Sequence, residues 1–178
     1  DLSARVGKLN PSWNEEYNDT ILDAKFQIAS ALTGSEFFAA LDYAAQSWLP
    51  ARKIVEAAFE KKEVDERVLV LEGSAPWKEH LYNIEAERSL SEEKKVLYVL
   101  YPESSGPESK WRIQAVPVSS ESFASRKALP EPWRGVRDEA LSELTGIQGC
   151  IFVHASGFIG GAMSKDGAVQ MVKKALAF

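Results

Sequence analysis

The chain has 178 residues, of which 45% are hydrophobic and 26% are charged, and its formal net charge is −5. This length and hydrophobic fraction suit one globular domain, or one domain with a helical arm, while the acidic balance argues against a dedicated duplex-DNA binder. The single cysteine excludes an internal disulfide framework and favours a reducing intracellular compartment. No apolar run approaches the roughly 20 residues that a bilayer-spanning helix needs, so we expect no membrane partner. Because it begins with Asp1, we expect a processed or cut fragment.

The first third of the chain is predicted to be helical. A short helix is expected at residues 4–9, and a longer one from Asp19-Thr20 to about residue 32. Small and polar residues at 33–35 are predicted to end that helix, with Ser35 capping the next one.

The next predicted helix carries a heptad-like stripe whose spacing alternates between three and four residues, which places its members on one face. The members are Phe38, Leu41, Ala45, Trp48, Arg52, Val55 and Phe59. This pattern indicates a helix packed on a core or on a neighbouring domain. Pro50 lacks an N–H and clashes with the preceding turn, so a kink or break is predicted near Gln46.

From Val68 onwards the pattern is that of an α/β protein. Strands are predicted at 68–71, 96–101, 111–116 and 150–154, and the second and third of these are expected to form an antiparallel hairpin. Helices are predicted from Pro76, over 138–144 with Gly146 ending it, and from Lys165. We therefore expect an α/β (α+β) fold: a mixed sheet of four or five strands flanked by helices, with a helical N-terminal arm at 1–61 and a sheet domain at 62–178.

Recognisable catalytic motifs are absent from the sequence. It contains two histidines, His80 and His154, and no Asp-His-His, His-Glu-x-x-His or Cys-x-x-Cys motif. A two-metal phosphoesterase needs several Asp and His ligands, so we expect no catalytic residue, no metal ligand and no cofactor in this chain.

The strongest candidate site is the segment 154–161, a predicted strand running into a small-residue turn. His154 and Ser156 can donate hydrogen bonds to a phosphate oxygen. Three glycines, Gly157, Gly160 and Gly161, allow a ligand close to backbone N–H groups that can hold an anion. The alternative is that these glycines only permit a tight hairpin or a bulge.

A second candidate site is a proline-stiffened loop at 129–137. It contains Trp133, Arg134 and Arg137, and an aromatic ring beside arginines can stack a base and pair with a phosphate. Arg112, on the polar face of a predicted strand, is expected to point to the same place. The alternatives are a packed tryptophan with surface arginines, and a solvated strand face.

A third candidate is the predicted helix start that contains Lys78 and His80, because a phosphate is favoured near a helix N-terminus. The alternative is an ordinary amphipathic helix with an exposed histidine.

Six segments that span nearly the whole chain carry a family resemblance. They are LSARVGKLNPSW at 2–13, SWLPAR at 47–52, PWKEHLY at 76–82, WRIQ at 111–114, LPEPWRGVRDEA at 129–140 and GCIFVHASGFIGG at 149–161. In these segments the chain resembles the C-terminal half of the melanocyte-proliferating-gene family, a branch of the DHH phosphoesterase superfamily.

The resemblance implies a substrate-binding domain that resembles the DHH-associated C-terminal domain. Such proteins resemble 3′–5′ RNA exonucleases of nucleus and mitochondrion, in which an N-terminal domain holds manganese or magnesium. The C-terminal domain binds substrate through a Gly-Gly-Gly-His-type motif, whose counterpart here is 154–161, although its histidine precedes the glycines.

The expected function is therefore to hold the phosphate and base of an RNA end, or of a short single-stranded RNA. The N-terminal catalytic domain of the same chain would hydrolyse the phosphodiester, and this fragment alone would be inactive. A homo-oligomer is compatible with this interpretation. Two alternatives stay open: a non-catalytic interaction module that docks through the 38–59 stripe, and a binder of small nucleotides.

Overall fold

The computed structural model describes residues 1–15 and 18–178. These residues form two compact units, Asp1–Leu49 and Pro50–Phe178. The predicted division into a helical arm at 1–61 and a sheet domain at 62–178 stays a prediction.

The first unit is helical. It contains α1 (Leu2–Gly7), α2 (Asp19–Tyr43) and a π-helical turn (Ala44–Trp48). The side chain of Asn18 caps α2 by accepting a hydrogen bond from the Ile21 N–H.

The predicted break at residues 33–35 is wrong, because α2 continues through all three of them. The hydroxyl of Thr33 donates to the Ala29 carbonyl at 2.8 Å, and that of Ser35 donates to the Leu32 carbonyl at 2.8 Å. Both side chains are thus satisfied inside the helix. The remaining cost of Gly34, about 1 kcal/mol, is too small to end a helix of 25 residues.

A kink or a break was predicted near Gln46. The helix is not broken there, but its hydrogen-bond pattern changes at the π-helical turn Ala44–Trp48. Pro50 has no N–H for the Gln46 carbonyl, so the regular hydrogen-bond ladder cannot pass this point. Instead, the Leu49 N–H donates to the Ala44 carbonyl, five residues earlier.

The second unit contains a mixed five-stranded sheet, which confirms the predicted α/β class. Its strands are β1 (Val68–Val70), β2 (Tyr98–Pro102), β3 (Trp111–Ala115), β4 (Cys150–Val153) and β5 (Ile159–Ala162). Their order is β1-β2-β3-β5-β4, with β1 and β2 parallel and the other neighbours antiparallel. The β2–β3 hairpin matches the prediction. By contrast, Gly160 and Gly161 lie inside β5, whereas the sequence pattern predicts a turn for these two glycines.

Helices α3 (Leu49–Lys61) and α4 (Lys78–Glu87) cover one face of the sheet at β1 and β2. Val55 and Phe59 of α3 and Leu81 of α4 pack with Leu69 and Val99 in one core cluster. Val55 and Phe59 thus belong to the core of the second unit. The earlier stripe members on α2 differ, because Phe38 and Leu41 are 64% and 52% exposed.

Helices α5 (Asp138–Thr145) and α6 (Lys165–Ala177) cover the opposite face. Met171 of α6 and Leu141 of α5 pack there with Leu100 and Ile113. As predicted, α5 ends at Gly146, which is left-handed at φ 64°.

A buried ion pair ties α4 to the segment that follows β3. The guanidinium of Arg126 donates to both carboxylate oxygens of Glu85, at 2.8 and 2.7 Å. The side chains of Arg126 and Glu85 are only 10% and 2% exposed. Hydrogen bonds to the carbonyl and from the N–H of Val96 complete the network.

Candidate functional site

A row of side chains crosses the sheet on the face opposite α5 and α6. The register pairs Tyr101 with Arg112, Arg112 with Gly161, and Gly161 with Phe152, and an isolated bridge joins Phe152 to Arg137. Directly paired residues lie on the same face of a sheet. Five positions, of which Arg112, Gly161 and Arg137 were predicted site residues, are therefore brought into one line.

A second row lies beside the first. Gln114 pairs with Ile159, and the His154 N–H donates to the Ile159 carbonyl at 2.9 Å. Because side chains alternate along a strand, these residues share the face of the first row. We call these two rows the open face, since Arg112, Gln114, Phe152 and Ile159 are only half-buried.

Two guanidinium groups lie against the ring of Phe152. The Cζ atoms of Arg112 and Arg137 are 5.3 and 5.7 Å from the centre of that ring. Both distances are within the range of a cation–π contact. In this row Phe152 lies between Arg112 on β3 and Arg137 just before α5, so the ring has a guanidinium on each side.

Gly161 makes room for this arrangement. A Cβ atom at that position would be 2.5 Å from Arg112 Nη1 and 3.0 Å from Phe152 Cε1. The absent side chain lets both groups lie across β5. The glycine thus supports the side chains of the site, rather than forming the phosphate-binding loop that its sequence suggested.

The two arginines differ in their own partners. Arg112 is paired with Glu103, with Nη2 to Oε1 at 2.7 Å, and its side chain is 18% exposed. Its Nη1 atom is buried and has no hydrogen-bond partner among the described residues. Arg137 is 68% exposed and lies 4.0 Å from a carboxylate oxygen of Asp138, so it is the more available cation.

The turn between β4 and β5 fixes the imidazole of His154. The Ser156 N–H donates to His154 Nδ1 at 3.1 Å, and the Ser156 hydroxyl lies 3.0 Å from the same atom. With Nδ1 accepting, the proton of the neutral ring is on Nε2. The ring of Phe158 packs edge-on against the imidazole, with 4.8 Å between centroids. His154 is exposed, so its Nε2–H is a positioned donor at the end of the open face.

Arg134 lies against the same turn. Its Nε donates to the Leu129 carbonyl at 2.9 Å, and the Leu129 N–H donates to the Gly157 carbonyl at 2.8 Å. Gly157 has φ 73°, and a Cβ atom there would be 2.7 Å from Arg134 Nε. This glycine therefore serves both the left-handed turn and the close approach of Arg134.

Trp133 is not available to stack a base. It is 2% exposed, belongs to the core beneath α6, and packs edge-on against Phe178 with 5.7 Å between ring centroids. The alternative of a packed tryptophan beside surface arginines is the arrangement found. The ring partner of the arginines is Phe152 instead.

The third candidate site is not supported by the geometry. His80 is fully buried, so it cannot contact a ligand, and the expected alternative of an exposed histidine is also wrong. Lys78 is exposed at the start of α4, with its Nζ 6.0 Å from the centre of the Trp77 ring. Both residues are positioned by α4 and not by the β4–β5 hairpin that carries the open face.

A separate cleft of about 930 Å³ lies near the β2–β3 loop and the start of α6. Its lining includes the carboxylates of Glu72, Glu103 and Glu108. The one lysine in the lining, Lys165, is paired with Glu63 at 2.9 Å. This charge distribution disfavours a phosphate in the cleft.

The sequence analysis missed Tyr101, Gln114 and Phe152 as members of the site. Gln114 and Phe152 are each two residues from a predicted member of their own strand, so the alternation of strand faces could have identified them. Tyr101 could be identified as a member only from the register of β2 against β3, which no local pattern specifies.

No group of three or more His, Cys, Asp and Glu side chains suited to a metal ion occurs within residues 1–15 and 18–178. In that part of the chain, no helix is long and apolar enough to cross a membrane.

Comparison with known proteins identifies the family. The family model MYG1 exonuclease, with the description uncharacterised protein family UPF0160, matches residues 1–176. The chain belongs to the MYG1 exonuclease family. This membership confirms the resemblance predicted from the six motifs.

The chain is 49% identical to the human MYG1 exonuclease over 99% of its own length and 46% of the human protein. It is 49% identical to the rat MYG1 exonuclease and 45% identical to the MYG1 protein of Saccharomyces cerevisiae. It spans about half the length of these curated relatives. No solved structure matches the chain.

Proposed function

We propose that this chain is the substrate-binding part of a metal-dependent 3′–5′ RNA exonuclease of the DHH type, and that its open face holds an RNA end. The observation that carries the proposal is the pair of guanidiniums, Arg112 and Arg137, on the ring of Phe152. The relatives named as exonucleases support a nuclease context for that cationic pair.

In this proposal the phosphates are held by cations and by fixed neutral donors. Arg137 is exposed and forms charge-assisted hydrogen bonds with a phosphate, and Arg112, paired with Glu103, lies on the other side of Phe152 on β3. The Nε2–H of His154 donates to a further phosphate oxygen, because Ser156 occupies Nδ1. A base packs on Ile159 at the centre of the face, beside the Phe152 ring whose faces the two arginines cover.

The chemical step belongs to the rest of the longer protein in this proposal. The described residues provide no cluster that fits manganese or magnesium. Those ions would be held by the part of the relatives that this chain does not span. The chain then binds and orients the RNA end, in the nucleus and the mitochondrion.

The test is titration of this chain with a short fluorescent RNA that ends in a 3′-hydroxyl, and separately with nucleoside monophosphates. Arg137→Ala is expected to weaken RNA binding about 10- to 100-fold, since hydrogen bonds to charged groups contribute about 1.5–3 kcal/mol. Two cationic contacts also predict a plot of log affinity against log salt with a slope of about −1.4.

Arg5→Ala is the matched control, because Arg5 is also exposed and paired with a carboxylate but lies on α1. Equal effects of the two substitutions, or no RNA binding by the unmodified chain at millimolar concentration, would refute the proposal. Binding of monophosphates with the same affinity as RNA would instead favour the small-nucleotide alternative.

A protein-interaction module is the second candidate function. It is favoured by large apolar side chains on α2 that are more than half exposed, namely Phe26, Ile28, Phe37, Phe38 and Leu41. A chain that binds no RNA would leave this role as the better-supported one.

A further inference from the structure

Glu103 lies at the end of the open face, next to Arg112. It follows β2, and its N–H donates to the Lys110 carbonyl at 2.8 Å, so the ladder between β2 and β3 continues past the last strand pair. Glu103 is two residues after Tyr101, the register partner of Arg112, so the alternation of side chains places it on the open face. An acidic group therefore borders the arginines that are proposed to hold phosphate.

The carboxylate of Glu103 occupies one end of the Arg112 guanidinium, and the other end is buried. Arg112 Nη2 donates to Glu103 Oε1 at 2.7 Å, whereas Nη1 is inaccessible to solvent. The Arg112 side chain is 18% exposed, so little of the guanidinium is left for a ligand. A phosphate that binds both Arg112 and Arg137 would therefore meet an anion that is already in place.

Arg112 does not depend on Glu103 for its position. Its Cζ atom lies 5.3 Å from the centre of the Phe152 ring, and its Nη1 atom lies beside Gly161, 2.5 Å from where a Cβ atom would be. These contacts hold the guanidinium across β5 whether or not the carboxylate is charged. Removing the charge of Glu103 should therefore free the cation without moving it.

We propose that Glu103 competes with the RNA phosphate for Arg112: it occupies the guanidinium in the free protein, and a phosphate binds there only by displacing it. This inference rests on the proposed function of the open face. A carboxylate and a phosphate both accept charge-assisted hydrogen bonds from the same N–H groups, so one excludes the other. Glu103 is 47% exposed, so its carboxylate can turn into solvent when the phosphate arrives.

The experiment measures the affinity of a short RNA with a 3′-hydroxyl for the Glu103→Gln variant. Glutamine keeps the size of the side chain and one oxygen acceptor but removes the charge. We expect RNA to bind about three- to tenfold more tightly, because the ion pair that must break is only partly exposed to solvent.

Glu108→Gln is the matched control. It removes the same charge from the same β2–β3 loop, where Glu108 is also exposed. Its effect on RNA affinity should be less than about twofold, because salt screens an exposed charge that does not pair with the arginines.

A second substitution separates competition from plain repulsion between Glu103 and RNA. With Arg112→Met there is no guanidinium to release, so adding Glu103→Gln should improve the affinity by less than about twofold. Repulsion acts on RNA with or without Arg112, and it would give the same gain in both backgrounds. Circular dichroism verifies that each variant is folded, and the comparison of Glu103→Gln with Glu108→Gln stands by itself if Arg112→Met does not fold.

The outcomes separate this inference from the proposed function. An unchanged or weaker RNA affinity of Glu103→Gln would overturn the competition, and so would equal gains in Glu103→Gln and Glu108→Gln or equal gains with and without Arg112. If any of these occurs while Arg137→Ala weakens RNA binding, only this inference fails. If RNA binds neither the unmodified chain nor Glu103→Gln, both proposals fall.

Discussion

Loss of the Arg126 side chain should destabilise the second unit far more than loss of a surface cation. In Arg126→Met the carboxylate of Glu85, 2% exposed, would remain buried without its bidentate partner. Breaking a buried pair in this way costs about 3–5 kcal/mol. At about 2–4 °C per kcal/mol for a protein of this size, the melting temperature should fall by about 6–20 °C.

The assay is urea unfolding followed by circular dichroism, with two comparison variants. Lys95→Met removes a cation whose partner, Glu92, is 83% exposed, and it should cost less than about 1 kcal/mol. The double variant Glu85→Leu with Arg126→Met removes both buried charges but also the partners of the Val96 N–H and carbonyl, so it should recover only part of the lost stability.

Two results would show that this reasoning is wrong. One is an Arg126→Met variant that is no less stable than Lys95→Met, which would mean that Glu85 finds solvent or another partner. The other is a double variant as unstable as Arg126→Met alone, which would assign the loss to the Val96 hydrogen bonds and to packing on the Tyr82 ring, 5.2 Å from Arg126 Cζ, and not to the unpaired Glu85 charge.

Two further predictions concern the glycines of β5 and the buried Tyr98. Gly161→Ala places a methyl group 2.5 Å from Arg112 Nη1 and should weaken RNA binding about tenfold. Gly160→Ala places a methyl group 3.0 Å from the core residue Leu129 and should cost about 1–3 kcal/mol of stability with unchanged RNA affinity. Equal RNA affinities of the two variants would contradict this. Burial raises the pKa of Tyr98 to about 12, above its unfolded value of about 10. As pH rises, the unfolded state therefore loses the Tyr98 proton before the folded state does, so the free energy of unfolding should fall between pH 10 and 12. Tyr98→Phe should flatten this fall in alkaline urea titrations, and an unchanged fall would show that Tyr98 is not its cause.

Local patterns were sufficient for most elements of the second unit. The alternation of Trp111, Ile113 and Ala115 predicted β3, and its polar residues Arg112 and Gln114 are indeed on the less buried face. A helix from Lys165 and the glycine stop of α5 were also predicted, because capping and periodicity act over a few residues.

The errors arise where distant contacts override a local preference. Gly160 and Gly161 have low strand propensity, but β3 and β4 supply hydrogen bonds on both sides and place them in β5. Trp133 follows two prolines in a segment that looks like an exposed loop. Its ring is buried because it belongs to the core cluster that residues of the distant helix α6, such as Met171 and Ala175, help to form.

The sequence by itself determined the family, the α/β class and the list of polar groups from which a phosphate site could be built. Tertiary structure alone decided which of those groups meet. Strand register joins Arg112, Gly161, Phe152 and Arg137 in one row, because β3 pairs with β5 across 49 positions of the chain. The tertiary structure also removes Trp133 and His80 from the site by burying them, since the burial of a side chain depends on what packs against it and not on its neighbours in sequence.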